Sequence, residues 1–283
     1  MTKKLIVNGD DFGLDRGINE GIILAHQKGI LTSATIMANM PGFSQAVELG
    51  GRNERLGVGI HLNALRGQPV SSPSRVASLL NADGCFWSDV FIFLRKLIAG
   101  KIRLEEVEVE WRVQVEKVLK AGIKPTHFDS EKHLHAFPPL FKIACRLAKD
   151  FQVPRVRFIH EYCLSPSPAQ SLKSWGISLS CTFMKKKIRE SGIITTDHFT
   201  GICRSGRMTV RAWKKILTSL KDGVTEVMVH PGFRTEEAEE LQKQMGSYYI
   251  HKNRERELRA LLDSEVKALL QTQGIQLIHF GEL

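Results

Sequence analysis

The chain is poor in cysteine, has no long apolar run and lacks the glycine signatures of nucleotide binding. Its five cysteines, Cys85, Cys145, Cys163, Cys181 and Cys203, are odd in number and scattered, with no CxxC pair. That spacing suggests neither a disulfide framework nor a thiolate zinc site, and the expectation is buried or idle thiols. No window approaches the roughly 18 consecutive apolar residues of a membrane-spanning helix. The opening MTKKLIVNGDD turns polar and acidic where a secretion signal keeps an apolar core, so the expected setting is the cytoplasm. No GxGxxG follows the first apolar run and no P-loop occurs anywhere, which argues against a doubly wound nucleotide-binding sheet.

What is present is the composition of an ordinary globular protein. With 42% hydrophobic and 25% charged residues over 283 positions, disorder and fibre are excluded. Forty Lys and Arg against thirty Asp and Glu leave a net charge of +10, which raises nucleic acid or an anionic membrane surface as partners. The basic residues are spread along the chain, however. The short clusters are Lys185 to Lys187 and Lys252 to Arg259, and Glu255 and Glu257 interrupt the second at helical spacing. These read as solvated helix faces, and no specific nucleic-acid partner is expected.

Short β-type runs alternate with amphipathic stretches from one end to the other. The strand candidates are Leu5 to Val7, Ser33 to Ala38, Leu56 to Ile60, Thr126 to Phe128, Val156 to Ile159, Ile193 to Thr196, Thr225 to Val229 and Ile275 to Ile278. Helices are expected over Arg16 to Lys28, Phe43 to Leu49, Leu104 to Ala121, Pro138 to Lys149 and Thr209 to Leu220, with Gly29 and Gly122 as stop signals. Eight strands with no compositional break predict an α/β fold: a single irregular or incompletely closed TIM-like (β/α) barrel spanning residues 1–283. Two connections are long, Leu62 to Lys124 and Gly232 to Gly274, and suit lids or substrate walls.

In such a barrel the carboxyl ends of the strands converge on one face. Those ends carry Asn8-Gly9-Asp10-Asp11, Gly59-Ile60-His61, His127-Phe128-Asp129-Ser130-Glu131-Lys132-His133-Leu134-His135 and Val229-His230-Pro231. Each has a plain structural explanation: Asp10 and Asp11 as helix-starting residues, His61 as a buried core histidine, His133 and His135 as a chance HxH pair on one side of an extended stretch, His230 as a turn residue. Together they point to one shared site. Carboxylates and imidazoles without cysteine suit a divalent ion with open positions, which lowers the pKa of bound water and polarises a carbonyl. One of the two adjacent aspartates is then a ligand and the other a base, and His230 can protonate a leaving group. This describes metal-assisted hydrolysis without naming a substrate.

At these residues the sequence resembles the YdjC-like carbohydrate deacetylases, a family that includes chitooligosaccharide deacetylase and the hopanoid-biosynthesis-associated deacetylases. The likeness runs through IVNGDDFGLDRGINEGI, GILTSATIMAN, LGVGIHLN, KPTHFDSEKHLHAFP and EVMVHPGF, in the family's order and spacing. It implies an irregular β/α barrel, a divalent metal and removal of the acetyl group from an N-acetylated amino sugar, on an oligosaccharide or a glycolipid. Position by position, it implies Asp11 and His61 as metal ligands, Asp10 as base and His230 as acid.

One position departs from the family. Where the deacetylases usually carry DSHxHxH, this chain has Glu131 in place of the first histidine, while His133 and His135 match the remainder. Glu131 either completes the metal site as a harder donor, favouring Mg²⁺ with Mn²⁺ or Zn²⁺ as alternatives, or pairs with Lys132 or a basic loop and leaves the metal weak or absent. His133, His135 and Arg157 are expected to bind substrate, though Arg157 is equally placed to pair with Glu161. Phe86, Trp87, Tyr248 and Tyr249 are suited to stacking on a sugar ring or to packing. The apolar segment Val90 to Ile98 suggests a lipid tail, a membrane-surface contact, a buried helix or a homodimer contact. The readings left open are a different sugar hydrolase or isomerase on the same barrel, and a non-catalytic binding protein.

Overall fold

The computed structural model describes residues 2–163, 167–236, 239 and 252–283. The central strand is β1 (Lys3–Phe12), whose last eight residues are all buried although three of them are Asn8, Asp10 and Asp11. Around it curls a parallel sheet of β2 (Ser33–Ile36), β3 (Gly57–Leu62), β4 (Phe128–Ser130), β5 (His198–Thr200), β6 (Gly223–Val229) and β7 (Gln276–Leu277). The order is β4-β3-β2-β1-β6-β5, with β7 also pairing β1. Strands buried on both faces need near-continuous apolar sequence, and β1 to β3 supply it in LIV, SATI and GVGI.

The helices follow the sequence signals closely. Helix α1 (Arg16–Lys28) starts where the Asp15 carboxylate accepts from the Ile18 N–H at 2.9 Å and ends at Gly29. Helices α2 (Phe43–Arg52), α3 (Val90–Ile98), α4 (Leu104–Lys120) and α5 (Pro138–Asp150) come next. A 24-residue helix, α6 (Pro168–Ser191), ends at Gly192 in the left-handed conformation. Helices α7 (Val210–Thr218), α8 (Lys252–Leu262) and α9 (Ser264–Thr272) complete the chain. The buried apolar residues form one main cluster that runs from Leu5 to Ile275. Close contacts hold the site's loops: a Cβ on Gly21 of α1 would lie 2.5 Å from the Cα of Gly232, so only glycine lets α1 approach the turn after β6.

The barrel is a half-barrel rather than a closed ring. Val156 to Ile159 and Ile193 to Thr196, expected as strands, meet their neighbours only through the single bridges Phe128 with Val156 and Arg155 with Ile194. Pro154 has no N–H to lengthen a ladder there, and the one ladder in this stretch forms further on, at β5. Helix α6 fills the connection between the two segments.

Candidate metal centre and catalytic cavity

Asp10 and Asp11 are neighbours on β1, where alternation would send them to opposite faces. The pairing with β2 shifts register between Gly9 and Phe12, and Asp11 sits at φ 71°. A bulge and a left-handed residue let both carboxylates line one cavity, at a backbone cost of order 1–3 kcal/mol of the kind concentrated at functional sites. The cavity also takes His61, Glu131, Lys132, His133, Lys173, Ser205 and His230 in its wall, and measures about 30 Å³. That is on the order of one water's share of the liquid, about 30 Å³.

His61 on β3 stands beside Asp129 on β4 in register, and its Nδ1 lies 2.7 Å from Asp129 Oδ1. The Thr35 hydroxyl donates to the other oxygen of Asp129 at 3.2 Å. This fixes the ring so that Nε2 faces the cavity, 3.4 Å from Glu131 Oε2 and 3.8 Å from Asp11 Oδ1. Burial disfavours a charged ring, but Asp129, its hydrogen bond, Glu131 and Asp10 outweigh it and hold His61 well above the usual imidazole range. Asp11, His61 and Glu131 are buried and offer one donor atom each, all within 4.8 Å of one another. Two carboxylates, one imidazole and a carboxylate behind that imidazole form a donor set that fits a divalent ion. A second buried set, Asp10, His61 and Asp129, also satisfies the distances. Asp129 is not in the cavity wall, whereas Asp11, His61 and Glu131 all are, so the first set is the one that opens on the cavity.

Each of the two candidate carboxylate ligands carries its own cation. Arg66 Nε donates to Glu131 Oε1 at 2.6 Å, and Arg254 pairs with Asp11 Oδ2. Lys132 Nζ is 3.9 Å from Glu131, so the expected pairing exists, but Arg66 is the closer partner. Burial opposes ionisation of Glu131, yet Arg66 and the contact with His61 hold it well below the usual carboxylate range.

Behind the cavity, Arg157 is fully buried and serves three carboxylates. Its guanidinium grips Asp10 through two bonds of 2.8 and 2.7 Å, lies 2.6 Å from Asp129 and donates Nε to Glu226 at 2.7 Å. Arg157 therefore pairs with the site's own acids and not with Glu161, and its guanidinium holds Asp10 in position. One cation for three acids leaves excess negative charge. Burial, and to a lesser degree Asp10 and Asp129, push Glu226 up to about 7 despite Arg157. A group whose folded pKa is raised stabilises the fold fully below its unfolded value, near 4.5, and loses that contribution as pH rises through 7. Stability is thus expected to fall by up to about 3 kcal/mol between pH 4.5 and 8 from this group. Thermal unfolding across that range should show the decline, and Glu226→Gln should flatten it; an equal slope in the variant would exclude Glu226 as its source.

His230 follows β6, where Val229 pairs with Gly9 of β1. Its backbone N–H donates to Glu257 Oε2 at 2.7 Å, and Glu257 Oε1 accepts from Gly206 at 2.7 Å. The ring Nδ1 is buried with no hydrogen-bond partner, as is Nδ1 of His133. Burial brings His230 down to about 4. The HxH pair splits: Lys132 and His133 take left-handed conformations, φ 51° and 61°, inside a 3-10 turn over Glu131–Ala136. His133 faces the cavity, whereas His135 turns back, with Nδ1 2.6 Å from the Ser130 hydroxyl and Nε2 3.1 Å from the Arg157 carbonyl. His135 thus braces the turn and Arg157. The premise that the two histidines point the same way fails because the segment is not extended.

Sequence reasoning did not find Arg66, Arg254, Lys173, Glu226 or Glu257. One expectation about other groups also changes. Cys163 and Cys203 form a disulfide, with Cα atoms 6.6 Å apart, so they are not idle thiols; Cys85, Cys145 and Cys181 are free. Their separation of 40 residues carries no spacing signal, and it is the fold that brings the loop after Ile159 to the loop after β5. Among the aromatics, Phe86 is core, Trp87 is half-buried under Lys96, and Tyr248 and Tyr249 lie outside the described residues. Helix α3 buries Phe93 and leaves Phe91 and Ile98 exposed, and no helix among the described residues is long and apolar enough to cross a membrane.

Fold and site together define a class: a curled parallel β/α half-barrel with a buried carboxylate and histidine centre at the carboxyl ends of its strands. The model of the YdjC-like protein family matches residues 4–272, and the chain belongs to that family. It is 36% identical over 281 residues to a carbohydrate deacetylase of Brevibacillus brevis, covering 99% of both chains, and 30% identical to one of Thermoanaerobacter pseudethanolicus, again covering 99% of both. A crystal structure from Enterococcus faecalis, provisionally named a cellobiose-phosphate cleavage protein, superposes with a TM-score of 0.78 at 28% identity over 100% of this chain and 99% of that one.

Proposed function

We propose that the chain is a metal-dependent carbohydrate N-deacetylase that hydrolyses the acetamido group of an amino sugar to acetate and a free amine. The observation that supports this most is the placement of Asp10, His230 and the donor set Asp11, His61 and Glu131 around one small cavity, in a relative of carbohydrate deacetylases. A divalent ion held by Asp11, His61 and Glu131, with Mg²⁺ or Mn²⁺ ahead of Zn²⁺ for so hard a set, supplies Lewis acidity toward the acetyl carbonyl and the attacking water when bound. Asp10, held in place and ionised by Arg157, accepts a hydrogen bond from the attacking water and takes its proton as the water adds, although the same pairing lowers its basicity. His230 starts neutral, takes up a proton released within the site, and passes it from Nδ1 to the departing amine. Glu257 anchors the His230 backbone, and His133 and Lys173 are left to contact the sugar.

The test is metal content together with acetate release from N-acetylglucosamine oligosaccharides. Glu131→Ala is expected to weaken the ion by more than the about 10–100-fold that loss of an outer partner costs, and to lower acetate release in parallel. Unchanged metal stoichiometry would exclude Glu131 as a ligand. Absence of acetate from the metal-loaded protein would point to another reaction on the same barrel.

A further inference from the structure

A second cavity lies apart from the catalytic one, against the edge strand β5, the loop after Ile159 and α7. It measures about 740 Å³, and His160, His198, Arg204, Lys215 and Lys221 line it. Glu161 is the acidic residue of its wall, and that carboxylate is already engaged. It accepts from the Thr200 hydroxyl at 2.6 Å, from Gly201 N–H at 3.1 Å and from Cys203 N–H at 3.1 Å. Among the described residues, Arg204, Lys215 and Lys221 form no ion pair, although the adjacent Lys214 pairs with Glu265. Burial and the nearby cations Lys185 and Lys221 together hold His160 below the usual imidazole range, so this ring sits in a positive field. Three cations, Arg204, Lys215 and Lys221, against the one carboxylate of Glu161 leave the wall net positive, and a bound anion relieves their repulsion.

The rest of the wall is apolar and aromatic. Tyr162, Phe199, Ile216 and Leu220 line it, and the Tyr162 ring stands edge-on to His160 at 5.2 Å. A bare inorganic ion would use the cations and leave this half uncovered. We propose that the cavity binds a phosphate monoester, whose dianionic head meets the Lys, Arg and His donors and whose organic group lies on Tyr162 and the apolar wall. This site is independent of the deacetylase reading. It shares one wall with the catalytic cavity: Cys203 and Arg204 face the basic cavity while Ile202 and Ser205 of the same loop face the catalytic one.

The experiment titrates the full chain with inorganic phosphate and, separately, with glucose 6-phosphate, following the imidazole signals of His160 and His198 by NMR. Both probes are expected to shift these two rings and to raise the His160 pKa, because an anion favours the protonated form. The ester is expected to bind about tenfold more tightly than inorganic phosphate. Lys215 and Lys221 are exposed, so the double variant Lys215→Glu, Lys221→Glu should fold normally. It is expected to lose about tenfold or more in affinity for the ester and to keep its acetate release. No shift of His160 and His198 at millimolar ester, or undiminished binding by the charge-reversed variant, would overturn the site. Ester binding no tighter than that of inorganic phosphate would overturn the monoester assignment.

Discussion

Asp10→Asn is expected to lower acetate release by about 10²–10⁴, the range that a positioned general base contributes, while the protein stays folded and keeps its metal. The expectation rests on which groups touch Asp10. Burial disfavours its carboxylate, but the two bonds from Arg157 and the fields of His61 and His230 more than reverse this and hold it far below the usual range. Asp10 is thus an anion at neutral pH, the form a proton acceptor needs, although the pairing that ionises it also lowers its basicity. Asparagine keeps the size and one acceptor oxygen but cannot take a proton. Its amide N–H₂ also faces the guanidinium, so one fork of the Arg157 pair is lost at about 1–3 kcal/mol. A drop of several degrees in Tm is therefore expected, with Asp129 and Glu226 still neutralising Arg157. Metal content should be unchanged, because the donors that open on the cavity are Asp11, His61 and Glu131. Turnover assayed well below Tm separates chemistry from folding, and near-normal turnover would remove Asp10 as the base.

Much of this was legible in the chain itself, and the parts that were not have physical reasons. The helices from Arg16 and from Pro138 announce themselves through an Asp cap or a proline in the first turn, both local signals. The strand ends were legible because four polar clusters interrupt four apolar runs. What periodicity cannot convey is where alternation breaks. The bulge at Asp11 and the left-handed pair Lys132 and His133 decide which side chains share the cavity, and each reverses the facing that an extended strand would give. The cations were hidden for a different reason. Arg66 and Arg254 reach their carboxylates across 65 and 243 residues, and an isolated arginine in a basic chain looks like any other; Arg157 was legible as a site residue, but not its partner Asp10, 147 residues away. The ring stays open where Val156 to Ile159 and Ile193 to Thr196 have strand composition without the backbone partners to form ladders.

Arg157→Met is expected to have the largest effect on the fold of any single change in the site. The side chain is fully buried, and its removal leaves Asp10, Asp129 and Glu226 facing one another in the interior with their shared cation gone. Breaking a buried pair by deleting one partner costs about 3–5 kcal/mol, against a total stability of about 5–15 kcal/mol for a folded protein. Here one deletion strips three acids at once, so marginal folding near neutral pH is the expected outcome. The pH dependence identifies the cause. Without Arg157, burial raises the folded pKa of Asp10 above its unfolded value, and Glu226 rises further from about 7. Groups shifted in that direction stabilise the fold below their unfolded pKa and lose the contribution as pH rises through the folded one. The variant should therefore be markedly more stable at pH 5 than at pH 8, with a steeper decline than the wild type. Arg157→Lys should fall between the two, since an ammonium restores charge but not the planar fork that serves three carboxylates. Urea unfolding of the three proteins at both pH values measures this. A methionine variant as stable as the wild type at pH 8 would mean that the three carboxylates do not depend on Arg157, and Asp10 would then need another source for its ionised state.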